Sequence, residues 1–397
     1  MNPLAAPAPA VEQQPACTST EWSILLTACA PFPTEQKTQR LRKLSCASVD
    51  WKSLFDLSEK HGTQPLLHRA LSLIGAVPHG PMEILNRRVQ ANLLKCMLVS
   101  RELIRIVDHF TALGLPVMPY KGPALAELLY GDVALRQSGD IDLLIRPQDF
   151  SRACAAVREL DYTPHLALSP QQLRAYLKSG YECAFDSSAG RNLLELQWAI
   201  QPRFYAVDFD IDELFSRAIT VNVAGHPMKT PSLEDLFLVL SVHAAKHVWG
   251  KLIWLSDLAQ LMTNPALKWD WVGEQSRQLG IVRILSVTLN LSHDLLGAQV
   301  PDAARKHMPE DPESSPVSKL FQSMLDSQSE PDVESMSYFR LMLRLRERPE
   351  DRMRFVQRLA LTPGPSEWNA VHLPGILFPF YRVVRLARLA ARTVRPR

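Results

Sequence analysis

The chain reads as an α+β protein, a sheet-bearing segment set between two helical regions. Three observations predict this. Over positions 20–114 apolar residues recur at three- and four-residue spacing, the mark of amphipathic helices. At Leu115 the texture changes, and short apolar strands alternate with helices to about position 231. From Ser232 the helical spacing returns. The expected organisation is a disordered tail over 1–19, a helical region over 20–114, an α/β core over 115–231 and a second helical region over 232–397.

Each element has a local cause. Helices are expected over 21–29, 50–61, 65–74 and 82–113, with Gly62 and Gly114 where C-terminal caps belong. A short strand covers 116–120, and Pro123 opens a helix that runs to Tyr130. A second strand is Asp140 to Ile145, and Pro147 opens a helix ending near Leu160. Segments 181–185 and 192–198 read as a hairpin around Ser187-Ser188-Ala189-Gly190. Segments 221–223 and 227–229 read as a smaller one around Gly225. Ser232 caps a helix to about Trp249, with Asp235 three residues on. Helices follow over 252–262 and 271–296, while the polar segments 301–316 and 327–332 read as loops.

Composition bounds the function. A net charge of +3 gives no global electrostatic case for nucleic acid. Cys17, Cys29, Cys46, Cys96, Cys154 and Cys183 include no C-x-x-C pair, which argues against a zinc site or a disulfide framework and for reduced, cytosolic thiols. No apolar run reaches the roughly 18 residues of a spanning helix. The N-terminus is rich in Pro and Ala and lacks a charged segment ahead of an apolar one, so a signal peptide is not expected. A cytoplasmic protein fits these traits.

The chemistry concentrates in Gly139-Asp140-Ile141-Asp142-Leu143-Leu144-Ile145. Side chains alternate along a strand, so Asp140 and Asp142 share one face and Ile141 and Leu143 the other. Two acids side by side repel each other unless a cation sits between them, and such pairs hold Mg²⁺ against phosphate. Acidic pairs also mark solvated strand ends, but the apolar run after this one reads as a central strand. That context favours a phosphoryl- or nucleotidyl-transfer site. Glu195, in Leu193-Leu194-Glu195-Leu196-Gln197-Trp198, completes a triad if its strand lies beside the first. It would then ligate metal or accept a proton; otherwise it faces solvent. In Lys121-Gly122-Pro123 the glycine admits close backbone approach and the helix N-terminus favours an anion. Lys121 adds a point charge. Arg136 either neutralises phosphate or pairs with an acid of the triad.

The order K-G-P-A-L-A-x-x-L-Y-G-D-x-x-x-R-x-x-x-D-I-D-L-L-I, followed by L-E-L-Q-W, resembles the uncharacterised bacterial nucleotidyltransferase family of the polymerase-β-like superfamily. The likeness continues through 238–249 and 253–258. It implies a small mixed sheet with helices, Gly122 as the phosphate-binding turn, Asp140 and Asp142 as metal ligands and Glu195 as the third acid. It also implies Mg²⁺ or Mn²⁺ as cofactor and a nucleoside triphosphate such as ATP as substrate. Two departures stand out. The turn is Lys-Gly-Pro where Gly-Gly or Gly-Ser is usual, and Pro123 offers neither N–H nor hydroxyl. The third acid is Glu where Asp is usual.

His243 and His247 fall one turn apart on a helix. With Asp257 they form either a metal site, an interhelical hydrogen-bond network, or a polar face lent to the nucleotide or acceptor pocket; the last is preferred. The tail carries Arg382, Arg385, Arg388, Arg392, Arg395 and Arg397 interleaved with apolar residues. It reads as a last helix packed on the core with a solvated arginine face, or as a peripheral contact with membrane or RNA. The expected reaction is transfer of a nucleoside monophosphate to an acceptor, a small molecule, a peptide or a protein, with release of pyrophosphate. The alternatives are phosphoryl transfer at the same site and a non-catalytic nucleotide- or partner-binding module.

Overall fold

The computed structural model of the chain describes residues 19–75, 77–166, 168–188, 193–308, 311–326, 335–371 and 373–394. Five helices come first: α1 (Thr20–Cys29), α2 (Thr34–Ser45), α3 (Trp51–Lys60), α4 (Gln64–Ser72) and α5 (His79–Ala112). Side chains of Ser19 and Asp50 accept the Trp22 and Ser53 amides and so cap α1 and α3. Ser19, assigned to the tail by sequence, therefore belongs to the fold. The helix α2 was not expected; only Leu41 of it is buried, so it carries no apolar stripe to read.

The middle segment runs β1 (Val117–Pro119), α6 (Gly122–Tyr130), β2 (Asp140–Ile145), α7 (Phe150–Glu159), β3 (Tyr162–Pro164), α8 (Pro170–Ser179), β4 (Glu182–Ser187), β5 (Leu193–Gln197), α9 (Ile211–Ser216), β6 (Ile219–Val223) and β7 (His226–Thr230). Five strands form one sheet in the order β1-β2-β5-β4-β3, and β6 and β7 form a separate hairpin. Only the β2–β5 pair is parallel. The sheet is thus small and mixed, as expected, and β2 is an inner strand. Unexpected were β3, α8 and α9: they are short, and α8 buries no residue, so none leaves a strong periodic pattern.

The chain then continues as α10 (Leu233–Lys246), α11 (Leu252–Met262), α12 (Trp269–Leu279), α13 (Val282–Leu296), α14 (Asp302–Arg305), α15 (Ser314–Asp326), α16 (Met336–Arg344), α17 (Pro349–Leu361), α18 (Pro365–Ala370) and α19 (Tyr381–Val394). The polar stretch 301–316 is therefore not all loop: α14 lies within it and α15 starts inside it. Its low hydrophobicity left no apolar stripe by which to read these helices. The tail at 1–18, Cys17, the hairpin residues 189–192 and the polar segment 327–332 lie outside the described residues. No helix among the described residues is long and apolar enough to cross a membrane.

Two apolar cores flank the sheet. On one side Ile141, Leu143 and Ile145 of β2 pack with Val99, Leu103, Ile106 and Phe110 of α5 and with Phe150 and Val157 of α7. On the other side Leu144 joins Met118, Tyr120 and Leu125 in a larger core that runs through α1, α3, α4, α10, α11 and α13. Asp140 and Asp142 share Leu144's face by strand alternation. The helices before and after the sheet are thus continuous through one core. Polar links reinforce it: the Leu252 amide donates to His61 Nδ1 at 3.3 Å, and Ser256 Oγ donates to the Cys29 carbonyl at 3.0 Å.

The tail helix α19 packs on α17 and α18. Tyr381 is buried, Arg385 Nε donates to the Leu359 carbonyl at 3.1 Å, and Arg385 and Arg388 both reach the buried Glu367 carboxylate at 3.3 Å. Val383 and Leu386 stay exposed.

Leu143 is fully buried at the centre of β2. Leu143→Ala should cost about 2–5 kcal/mol by lost transfer energy plus a cavity. A urea titration checks this, with a lower midpoint expected at unchanged slope.

Candidate active site

The parallel pairing of β2 with β5 sets Asp142 directly opposite Glu195, with Asp140 opposite Leu193. Parallel strands in register present paired residues to the same face, so all three acids converge. One oxygen from each of Asp140, Asp142 and Glu195 lies within 4.8 Å of the others. Asp142 is 5% exposed, and its two companions are half-buried. Burial, then the neighbouring Asp142, raises the Asp140 carboxyl. Burial, then the Asp142 and Glu182 carboxylates, pushes Glu195 up to about 8. Three ionised carboxylates at this spacing call for a cation. The donors are all hard oxygens, the set that Mg²⁺ and Mn²⁺ take.

Three side chains hold the cluster in place. Lys121 Nζ donates to Asp142 Oδ1 at 3.2 Å. Burial works to strip its proton, but Asp142 and Tyr120 outweigh burial and keep the ammonium above its ordinary value. Gln197, 1% exposed, aims its amide nitrogen at Asp142 Oδ1 (3.0 Å), Glu195 Oε2 (2.9 Å) and Glu182 Oε2 (3.2 Å). A carboxamide has two N–H hydrogens, so it cannot satisfy three carboxylates at once. Tyr120 Oη donates to Gln197 Oε1 and fixes which end of the amide faces the acids. Lys246 Nζ donates to Tyr181 Oη at 3.0 Å, and burial pushes its ammonium down to about 8 against the pull of Glu182 and Glu195.

Above the acids opens a cleft of about 830 Å³. Its floor is Lys121, Gly122, residues 136–140 and Asp142. One wall comes from α3 to α5, including Arg88, Asn92 and Lys95. The other comes from α10 and α11, including His243, His247, Lys251 and Trp254. Gly122 has φ +57°, left-handed backbone that favours glycine, and an added Cβ would stand in ordinary contact with the Asp140 carbonyl at 3.6 Å.

Arg136 pairs with none of the triad. Its Nε donates to Asp257 Oδ2 at 2.9 Å, and Asp257 Oδ1 accepts from Tyr130 Oη at 2.8 Å. That commitment also removes Asp257 from the histidines. The His243 and His247 rings stand 4.8 Å apart, each against Trp254 at 5.2 and 5.3 Å. Among the described residues the three-acid cluster is the only group of three or more such ligands. Burial, then Lys121 and His247, drives His243 well below its usual value, and burial and Lys246 take His247 down to about 3. Both rings are neutral cleft-wall groups.

Sequence reasoning missed Gln197, Glu182, Lys246, Ser138 and Lys95 as members of the site. Lys246 had a signal, lying three residues after His243 on the same helical face. Glu182 had none, because the β4–β5 register that sets it opposite Gln197 appears only in the structure. Ser138 and Lys95 had none.

Two predictions follow from this geometry. Arg136 and Asp257 are both buried, so Asp257→Asn strands a buried guanidinium and should cost about 3–5 kcal/mol in a urea titration. For metal-free protein, Glu195 binds its proton more tightly folded than unfolded. Its contribution is therefore full below about 4.5 and lost as pH rises to about 8. Melting curves in chelator across that window should show a larger fall for the wild type than for Glu195→Gln. Equal falls would contradict the raised carboxyl.

A family model described as uncharacterised nucleotidyltransferase matches residues 47–297. Comparison with curated proteins and with solved structures finds no match. The matched span runs from just before α3 to the end of α13 and takes in the whole sheet, both cleft walls and all three acids, and the chain belongs to this family of uncharacterised nucleotidyltransferases.

Proposed function

We propose that the protein transfers a nucleoside monophosphate from a nucleoside triphosphate to an acceptor and releases pyrophosphate. The observation that carries this reading is the convergence of Asp140, Asp142 and Glu195 on two parallel strands, with Asp140 and Asp142 on the floor of a cleft that Lys121, Lys95, Arg88 and Lys251 also line. Asp140 and Asp142 would hold Mg²⁺ or Mn²⁺, with Glu195 as third ligand or as base. A divalent ion there supplies neutralisation of the phosphate charge and acidifies the acceptor hydroxyl.

The chain's own groups do the rest. Gly122 lets the backbone approach the phosphates, and Lys121 sets a point charge beside Asp142. Arg136 lines the same floor, with its Nε anchored by Asp257. The acceptor oxygen bonds to the α-phosphorus while the bond to the bridging oxygen breaks. With a cation offsetting the cluster, Glu195 would give up the proton that burial and the Asp142 and Glu182 carboxylates hold on it in the metal-free protein, and as a carboxylate it takes the acceptor proton. His243 and His247, uncharged, would meet the nucleotide or the acceptor by hydrogen bonds.

Asp140→Asn is the clean test. Asp142 neutralises the buried Lys121, so changing it disturbs a buried pair; among the described residues the Asp140 side chain makes no ion pair. The substitution should keep or raise the apo melting temperature by relieving repulsion. It should also abolish Mg²⁺-dependent triphosphate binding by calorimetry. Unchanged affinity would sink the site. Screening four labelled triphosphates with Mg²⁺ or Mn²⁺ then identifies the reaction, since pyrophosphate among the products separates nucleotidyl from phosphoryl transfer.

A further inference from the structure

The turn that should cradle phosphate is chemically thin. Pro123 follows Gly122 and supplies neither hydroxyl nor N–H. The structure brings a hydroxyl to the same place from elsewhere in the chain. Ser138, in the loop ahead of β2, is 6% exposed, and its Oγ is buried with no hydrogen-bond partner among the described residues. It lines the cleft, and a carbon placed on Gly122 would stand 3.9 Å from that oxygen. A buried hydroxyl left without a partner is destabilising, so its presence at this spot asks for a ligand. On the other side of the same loop, a carbon placed on Gly139 would stand 3.6 Å from Lys95 Nζ. Lys95 projects from α5 into the cleft and makes no ion pair among the described residues.

We infer that Ser138 and Lys95 complete a polyphosphate subsite at the Gly122 turn. Ser138 Oγ donates to a non-bridging oxygen of the phosphate chain, and Lys95 supplies the counter-charge farther from the metal pair. The hydroxyl that a Gly-Ser turn would offer comes here from the loop before β2. This rests on reading the cleft as a nucleoside triphosphate site. It adds the residues that grip the tail leaving as pyrophosphate.

The test uses inorganic tripolyphosphate with Mg²⁺, a probe independent of the base, alongside ATP. Calorimetry on the full chain compares wild type, Ser138→Ala and Lys95→Ala, and Mn²⁺ binding alone is read by electron paramagnetic resonance. Each substitution should weaken tripolyphosphate by about tenfold or more, the loss expected for a hydrogen bond to a charged group. Mn²⁺ affinity should not move, and Ser138→Ala should melt no lower than wild type because it removes an unpartnered hydroxyl. Variants that bind tripolyphosphate like wild type overturn the subsite and leave the site reading intact. Loss of Mn²⁺ binding together with a lower melting temperature would make Ser138 a structural support for the acids and overturn it too. A wild type that binds neither probe removes the subsite and the triphosphate reading together. Phosphate instead of pyrophosphate among the products would revise the reaction and keep the subsite.

Discussion

Mutual repulsion among three carboxylates is the constraint around which this molecule is arranged. The β2–β5 register fixes Asp142 beside Glu195, and strand alternation adds Asp140. No backbone adjustment separates them without breaking the sheet. The surroundings answer the repulsion piece by piece. Lys121 neutralises Asp142, Gln197 shares two hydrogens among three acids, and Glu195 keeps its proton up to about 8. What is left over is a deficit of positive charge at the cleft floor, open to a hard divalent ion.

Holding such a cluster requires a stiff frame, and the two cores provide it. The helix α5 takes part in both, through Leu85 on one side and Val99 to Phe110 on the other. At 34 residues it is about 50 Å long. It therefore carries the N-terminal wall of the cleft on the same rigid rod that backs β2. The opposite wall is tied down by the buried Arg136–Asp257 pair, which joins the loop before β2 to α11. His61, whose ring burial holds neutral with a value down to about 4, accepts the Leu252 amide at the start of α11. One wall is thus referenced to the acids by apolar packing on β2 and the other by a buried polar pair, and a buried polar contact ties the two walls together.

Much of this was legible in the sequence, for identifiable reasons. Period-two alternation is strict, so the shared face of Asp140 and Asp142 could be read from residue order alone. The proximity of Glu195 could be posed as a condition but needed the parallel pairing to be met. Elements that bury an apolar stripe, such as α10 and α11, were found close to their true bounds. Those that bury little, such as α2 and α8, were not. The partner of Arg136 was out of reach, because Asp257 lies 121 positions further on and no local pattern links them. Ser138 was invisible for a different reason. Its importance lies in a hydrogen bond it does not make, and only burial reveals that.

The electrostatics of the cleft divide the labour between its walls. His243 and His247 look like cations on paper, yet burial and the nearby Lys121 and Lys246 hold both rings uncharged. The wall built from α10 therefore offers hydrogen-bonding nitrogens and the face of Trp254, with Lys246 itself weakened to about 8 beneath it. Positive charge at the floor and on the α5 side comes from Lys121, beside Asp142, and from the exposed Lys95. A polyanion entering such a cleft is drawn to the floor and the α5 side, while an uncharged group of any bound molecule meets the histidine wall. That asymmetry follows from desolvation acting on groups of different depth. Among groups of the same charge, the deepest lose their charge first unless a counter-ion is within reach. Lys121 keeps its proton only because Asp142 lies beside it.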